Sequence, residues 1–112
     1  MSKISDIEVA NKMQQIQASA KSRGIHFDMS FNRVKTLMNT KRCFYTNNKL
    51  NNIKGDNNQL TFDRVDNSLG YIDSNVVACS HSINQKKGCL DMDEITSIYV
   101  GAMKKLGKKI TK

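Results

Sequence analysis

The chain has no Cys-x-x-Cys pair and no apolar run long enough to cross a bilayer, and only seven of its 112 residues are aromatic. Each absence removes a class of protein. Without paired cysteines the usual framework for structural zinc is missing, so zinc is not expected, and a Cys43, Cys79, His81, Cys89 cluster is the one arrangement left to supply it. Three cysteines cannot all pair within one chain, no secretory leader is recognisable, and no segment could span a membrane, so the expected setting is a reducing cytoplasm with no membrane partner. The few aromatics sit mostly at apparent core positions, which argues against an RNA-binding protein that stacks bases.

Acidic residues are also scarce. Ten of them face 18 lysines and arginines, giving a net charge of +8 and a pI near 9.6, an electrostatic reason to meet polyanions such as nucleic acid. Residues 1–56 carry ten basic side chains against four acids, and residues 57–112 eight against six. The first half therefore supplies most of the positive field. In the second half Asp63, Asp66 and Asp73 form a local acidic spot, as a divalent metal beside a phosphate would require.

The length suits one domain over 1–112, and neither repeats nor a low-complexity linker divide it. Ser5 with Glu8 is a capping-box pattern, and Ile7, Ala10, Met13, Ile16 and Ala20 recur at helical spacing, predicting a helix from about Asp6 to Ser22 within segment 6–23. Ile25 to Phe27 reads as a short extended piece. Ser30 then caps a second helix with Phe31, Val34, Leu37 and Met38 on one stripe. Thr40 to Tyr45 reads as a basic turn leading into a short strand, and Asn47 to Asn58 as loop. Leu60, Phe62 and Val65 frame a strand, and residues from about Ser74 to Lys87 suit a helix that begins as strand at Val76 and Val77 or is helical throughout. Asp91 and Glu94 open a last helix over 91–106 that is expected to bury Ile95, Ile98, Tyr99, Ala102, Met103 and Leu106. A basic tail, 107–112, follows.

Chemistry concentrates between Leu60 and Leu90. Phosphodiester hydrolysis needs a cation to stabilise charge on the phosphate, a base or positioned water, and rigid supports for both. Asp63 at a strand end offers a hard oxygen suited to Mg²⁺ or Mn²⁺, and Asn84 on a facing helix offers an amide oxygen to the same ion. Lys87, three residues after Asn84, falls on nearly the same helical face and is placed to hold a phosphate oxygen.

Asp63-Arg64-Val65-Asp66, Gly70-Tyr71, Asn75-Val76 and, nine residues after Asn75, Asn84 with Lys87 together resemble the HNH branch of the His-Me finger nucleases, in the variant common among small phage and bacterial proteins. The resemblance covers about residues 18 to 105, since Ala20 to Gly24, Phe27-Asp28, Cys43 to Thr46 and the last helix also resemble these proteins. It implies an α+β fold with a ββα-metal core, a short antiparallel hairpin plus helix over 60–88, flanked by N- and C-terminal helices. It also implies one Mg²⁺ or Mn²⁺ per site on Asp63 and Asn84, with Asn75 fixing the geometry of the loop. Thr46 and Ile83 stand where zinc-binding members have cysteines, so the chain resembles the zinc-free form.

Arg64 departs from the pattern, because better-known members place there a histidine that deprotonates the attacking water. A guanidinium is a poor base, but it can clamp the scissile phosphate. The base is then a metal-activated water, Tyr71 or His81. The function expected from these readings is a divalent-metal-dependent DNA endonuclease that nicks one strand per site, acting as monomer or homodimer in the cytoplasm, that of the host cell if phage-encoded. DNA would be held mainly through its backbone, with Arg23, Lys41, Arg42, Lys86 and Lys87 as contacts. The alternative is a catalytically silent relative that binds DNA or a host factor. Taken singly, the same residues have plainer roles: Asp63 as a turn aspartate, Arg64 with Asp66 as a surface ion pair, Asn67, Gly70 and Tyr71 as turn and lid residues, Asn84 as a solvated amide and both histidines as incidental. The functional reading rests on their joint spacing.

Overall fold

A computed structural model describes residues 4–107, so the basic tail lies outside the described residues apart from Gly107. The first helix, α1 (Asp6–Ser22), starts where its local signals place it. The Ser5 hydroxyl accepts from the Glu8 N–H at 3.2 Å and the Glu8 carboxylate accepts from the Ser5 N–H at 3.1 Å, closing the capping box. The face that turns inward differs from the expected stripe. Val9, Ile16 and Ala20 are buried with Met13 packed beside them, whereas Ile7 is 75% exposed and Ala10 is exposed. Both sets have helical spacing, and contact with the second helix selects between them.

After the two-residue strand β1 (Phe27–Asp28) comes α2 (Phe31–Met38), capped by Ser30, whose hydroxyl accepts from the Arg33 N–H. Val34 and Leu37 are buried and Met38 packs against the core, whereas Phe31, expected on the same stripe, is exposed. Thr40 to Tyr45 forms turns and an isolated bridge between Arg42 and Lys49 in place of a regular strand. Next come β2 (Leu60–Arg64), β3 (Tyr71–Ile72) and β4 (Val76–Ser80). β2 and β4 pair antiparallel with Asp63 opposite Val77 and Arg64 opposite Val76, while β1 and β3 pair parallel. Of the two readings of Ser74 to Lys87, the one that begins as strand is observed. Val76 to Ser80 is strand, because its backbone completes the ladder with β2 and its β-branched valines suit a pleated, buried surface. Helix α3 (His81–Lys87) begins only after Ser80 caps it.

The core lies between α1, α2 and the β2–β4 ladder and includes Val9, Met29, Val34, Leu37, Cys43, Leu50, Val76, Ala78 and Cys79. The last helix, α4 (Met92–Lys105), opens on the expected reciprocal cap of Asp91 and Glu94 but buries no residue. Ile98 is 58% exposed and Leu106 63%. The expectation that α4 closes the core is therefore wrong: its apolar stripe only flanks a groove shared with Tyr45, Ile83 and Leu90. The described residues form an α+β fold with four helices and two small sheets.

Candidate functional site

The end of β2 brings two adjacent residues to opposite surroundings, as strand alternation requires. Asp63 turns inward and is buried. The Tyr45 hydroxyl donates to its Oδ2 at 2.6 Å, and the Lys87 ammonium lies 3.2 Å from the same oxygen and 3.5 Å from Oδ1. Lys87 also donates to the Arg64 carbonyl oxygen at 3.3 Å and stands 5.7 Å from the centre of the Tyr45 ring. Tyr45 has its phenol pKa pushed well above the ordinary range, first by burial and then by its hydrogen bond to Asp63. This corrects the expected role of Lys87. Its ammonium is buried and paired with Asp63, and does not face a phosphate in solvent.

Arg64 turns the other way. Its Nη1 donates to the carbonyl oxygens of Asn67 and Leu69 at 3.1 and 3.0 Å, and its guanidinium lies 5.4 Å from the Tyr71 ring centre. Arg23, at the C-terminal cap of α1, approaches the same ring at 5.7 Å and donates to the Tyr71 hydroxyl at 2.7 Å. Tyr71 is thus in contact with two guanidinium groups, an arrangement that favours cation–π attraction and concentrates positive charge.

Asn75 holds the connecting loop. Its side-chain oxygen accepts from the Asp66 N–H at 2.9 Å, and its amide donates to the Asp66 and Gly70 carbonyl oxygens, each at 3.0 Å. Buried as it is, this side chain satisfies three backbone groups of one loop. Gly70 completes the clamp. A side chain there would collide with the His26 carbonyl oxygen, which accepts from the Tyr71 N–H at 2.8 Å. The Asn84 side-chain amide on α3 donates to Thr61 Oγ1 and to the Phe62 carbonyl oxygen at 3.1 and 3.2 Å, so its Oδ1 is the side-chain atom left to meet a ligand.

A cleft of about 280 Å³ joins Arg23, Asp63, Arg64, Asn67, Tyr71 and Asn84. Residues read from separate segments of sequence therefore converge. His81 does not line this cleft, because α3 begins there and the histidine sits at the opposite end of the helix from Lys87. Among the other expected nucleic-acid contacts, Lys41, Arg42 and Lys86 are exposed, away from the cleft lining, and Arg42 donates to the Asn47 carbonyl oxygen. The residue missed by sequence reasoning is Tyr45. It lies 18 positions before Asp63, and its only signal was membership in the Cys43 to Thr46 segment.

Among the described residues no group of three or more histidine, cysteine, aspartate or glutamate side chains gathers in metal-binding range. Asp63 and the Asn84 side-chain amide oxygen are hard donors of the cleft, which Asn67 also lines. That set fits a hydrated Mg²⁺ or Mn²⁺, which binds through one or two protein oxygens and keeps several waters. The ion would compete with Lys87 for Asp63.

The chain is similar to a phage protein. Over 89 residues, 79% of the chain, it is 32% identical to an uncharacterized 29.0 kDa protein in the dda-modA intergenic region of Enterobacteria phage T4. The chain spans 35% of that relative's length. No family model matches the chain, and no solved structure matches it. No helix among the described residues is long and apolar enough to cross a membrane.

Proposed function

We propose that the chain is a His-Me-finger-like domain that binds a DNA phosphodiester in the Asp63–Arg64–Tyr71–Asn84 cleft and hydrolyses it with the help of a divalent metal ion. The observation that carries the proposal is the convergence of a buried carboxylate, an amide oxygen and two guanidinium groups in one cleft of a strongly basic protein. The antiparallel β2–β4 pair followed by α3 supports the ββα reading.

Asp63 and Asn84 would hold Mg²⁺ or Mn²⁺, which when bound would supply charge neutralisation at the phosphate and lower the pKa of a water. Arg64 anchors itself to the loop through Nη1 and leaves the rest of its fork to a phosphate oxygen. Arg23 adds a second cation across Tyr71. The Tyr71 hydroxyl accepts from Arg23, which leaves its own proton available to a phosphate or leaving oxygen. Asn75 keeps Arg64 and Tyr71 in register by fixing the loop between them.

A second reading has a specific observation in its favour. Asp63 is already neutralised by Lys87, and Arg64 replaces a base, as befits a module that binds nucleic acid without cutting it. Supercoiled-plasmid conversion separates the two. Wild type with Mg²⁺ or Mn²⁺ should give nicked circles, EDTA should stop the reaction, and Asp63→Asn or Arg64→Ala should lower the rate by at least about a hundredfold. Asp63→Asn is preferred to Asp63→Ala because it preserves the shape beside Tyr45. Retardation of DNA at low salt with no cleavage under any metal would establish the silent module. Arg64→Ala nicking at the wild-type rate while Tyr71→Phe does not would remove Arg64 as the clamp.

A further inference from the structure

A second cavity of about 310 Å³ lies between α1 and β2, with Tyr71 on its wall. Phe62 and Tyr71 line both spaces, which places the two side by side. The walls of the second cavity divide by chemistry. Leu60 and Phe62 give an apolar floor, Gln15 and Gln59 bring amide donors and acceptors, and Lys12 reaches in from α1 with its ammonium 5.4 Å from the Phe62 ring centre. Lys12 is partly buried and makes no ion pair among the described residues. Burial lowers its pKa from the ordinary lysine value, the mark of a cation whose desolvation is not offset by a carboxylate. A partly desolvated cation over an aromatic ring, beside two amides, suits a nucleotide: phosphate at the ammonium, base on the apolar floor and base edge at the amides.

We propose that this cavity is a subsite for one unstacked nucleotide next to the phosphodiester held in the Asp63 cleft, so that the preferred substrate is single-stranded or locally opened DNA. The proposal rests on the phosphodiester-binding reading of that cleft but not on its hydrolytic activity. A base paired and stacked in a duplex has no exposed face to lay on Phe62, whereas every unpaired base has one, so the subsite selects strand structure and tolerates sequence. Lys12 covers the ring until a phosphate draws the ammonium aside on its flexible stem.

The test is fluorescence anisotropy in EDTA, where cleavage is halted, with a fluorescein-labelled oligothymidylate and a blunt duplex of equal length. Lys12→Met keeps the apolar stem, Gln15→Ala alters an exposed position of the cavity wall, and Lys104→Met removes a remote charge. The expected result is about a tenfold loss of single-strand affinity in Lys12→Met, a smaller loss in Gln15→Ala, and changes under about twofold for the duplex and for Lys104→Met. An oligonucleotide carrying 5-iodouracil should photocrosslink to Phe62 or Tyr71. No single-strand binding by wild type, equal losses for single strand and duplex in Lys12→Met, or a loss no greater than that of Lys104→Met would overturn the subsite. Lys12-dependent binding by a protein that nicks no plasmid would keep the subsite and remove hydrolysis. Plasmid nicking with Lys12→Met binding as wild type would do the reverse.

Discussion

Lys87 shows how far one side chain's role depends on its surroundings. Its spacing from Asn84 fits a phosphate contact, yet burial makes a pairing with Asp63 the lower free-energy choice, since neither charge tolerates removal from water alone. Lys87→Met should therefore lower stability by roughly 3 kcal/mol in urea unfolding, and the double change Asp63→Asn with Lys87→Met should recover much of that loss. Tyr45 extends the same cluster. Its folded pKa lies above the unfolded value near 10, so its contribution is present in full below that pH and is lost as the pH rises above it, where the unfolded chain ionises and the native phenol does not. Stability followed from pH 8 to pH 11 should fall at the alkaline end, and Tyr45→Phe should flatten that fall. The cysteines divide by burial as well. Cys79 is buried, with its thiol pushed up to about 11 chiefly by desolvation, Cys43 is buried and Cys89 is exposed. A thiol reagent should accordingly modify one cysteine quickly in the native protein and all three only after unfolding.

Among the elements, helix starts were the most legible because a cap is a local hydrogen-bond arrangement. Ser5 with Glu8, Ser30, and Asp91 with Glu94 each mark an observed helix N-terminus. The start of α3 was not legible. Val76 to Ser80 is drawn into strand by a partner 12 to 20 residues upstream, and the Ser80 cap stands out as a helix start only once that pairing is known. The buried face of α1 was hidden for a similar reason, as Ile7 and Val9 both belong to acceptable helical stripes until α2 covers one of them. The loop between β2 and β3 depends on Gly70, where the backbone of residue 26 leaves no room for a Cβ. Gly70→Ala should destabilise the fold by about 2 kcal/mol and displace Tyr71 from Arg23, visible as a shift in the Tyr71 ring resonances. Amides of α4, which buries nothing, should exchange with solvent far faster than those of β2 and β4.

At the scale of the whole molecule the net charge of +8 predicts that the DNA binding proposed above falls steeply with salt, measurable as the slope of log affinity against log salt, and neutralising Arg23 should reduce that slope by about one contact. That Asp63, Arg64 and Asn84 share one cleft was readable in advance because their spacing encodes a strand, a loop and a helix that meet, and Asn75 holds the loop between them without lining the cleft. The sequence by itself determined the charge, the capped helices and the order of most elements, since each follows from composition or from contacts between near neighbours. Only the tertiary structure decided that Lys87 pairs with Asp63, that Tyr45 closes over both, that His81 stands apart and that α4 keeps its apolar face exposed. Those outcomes depend on which distant segments exclude water from which side chains, and burial of that kind is a property of the packed molecule that no local spacing carries.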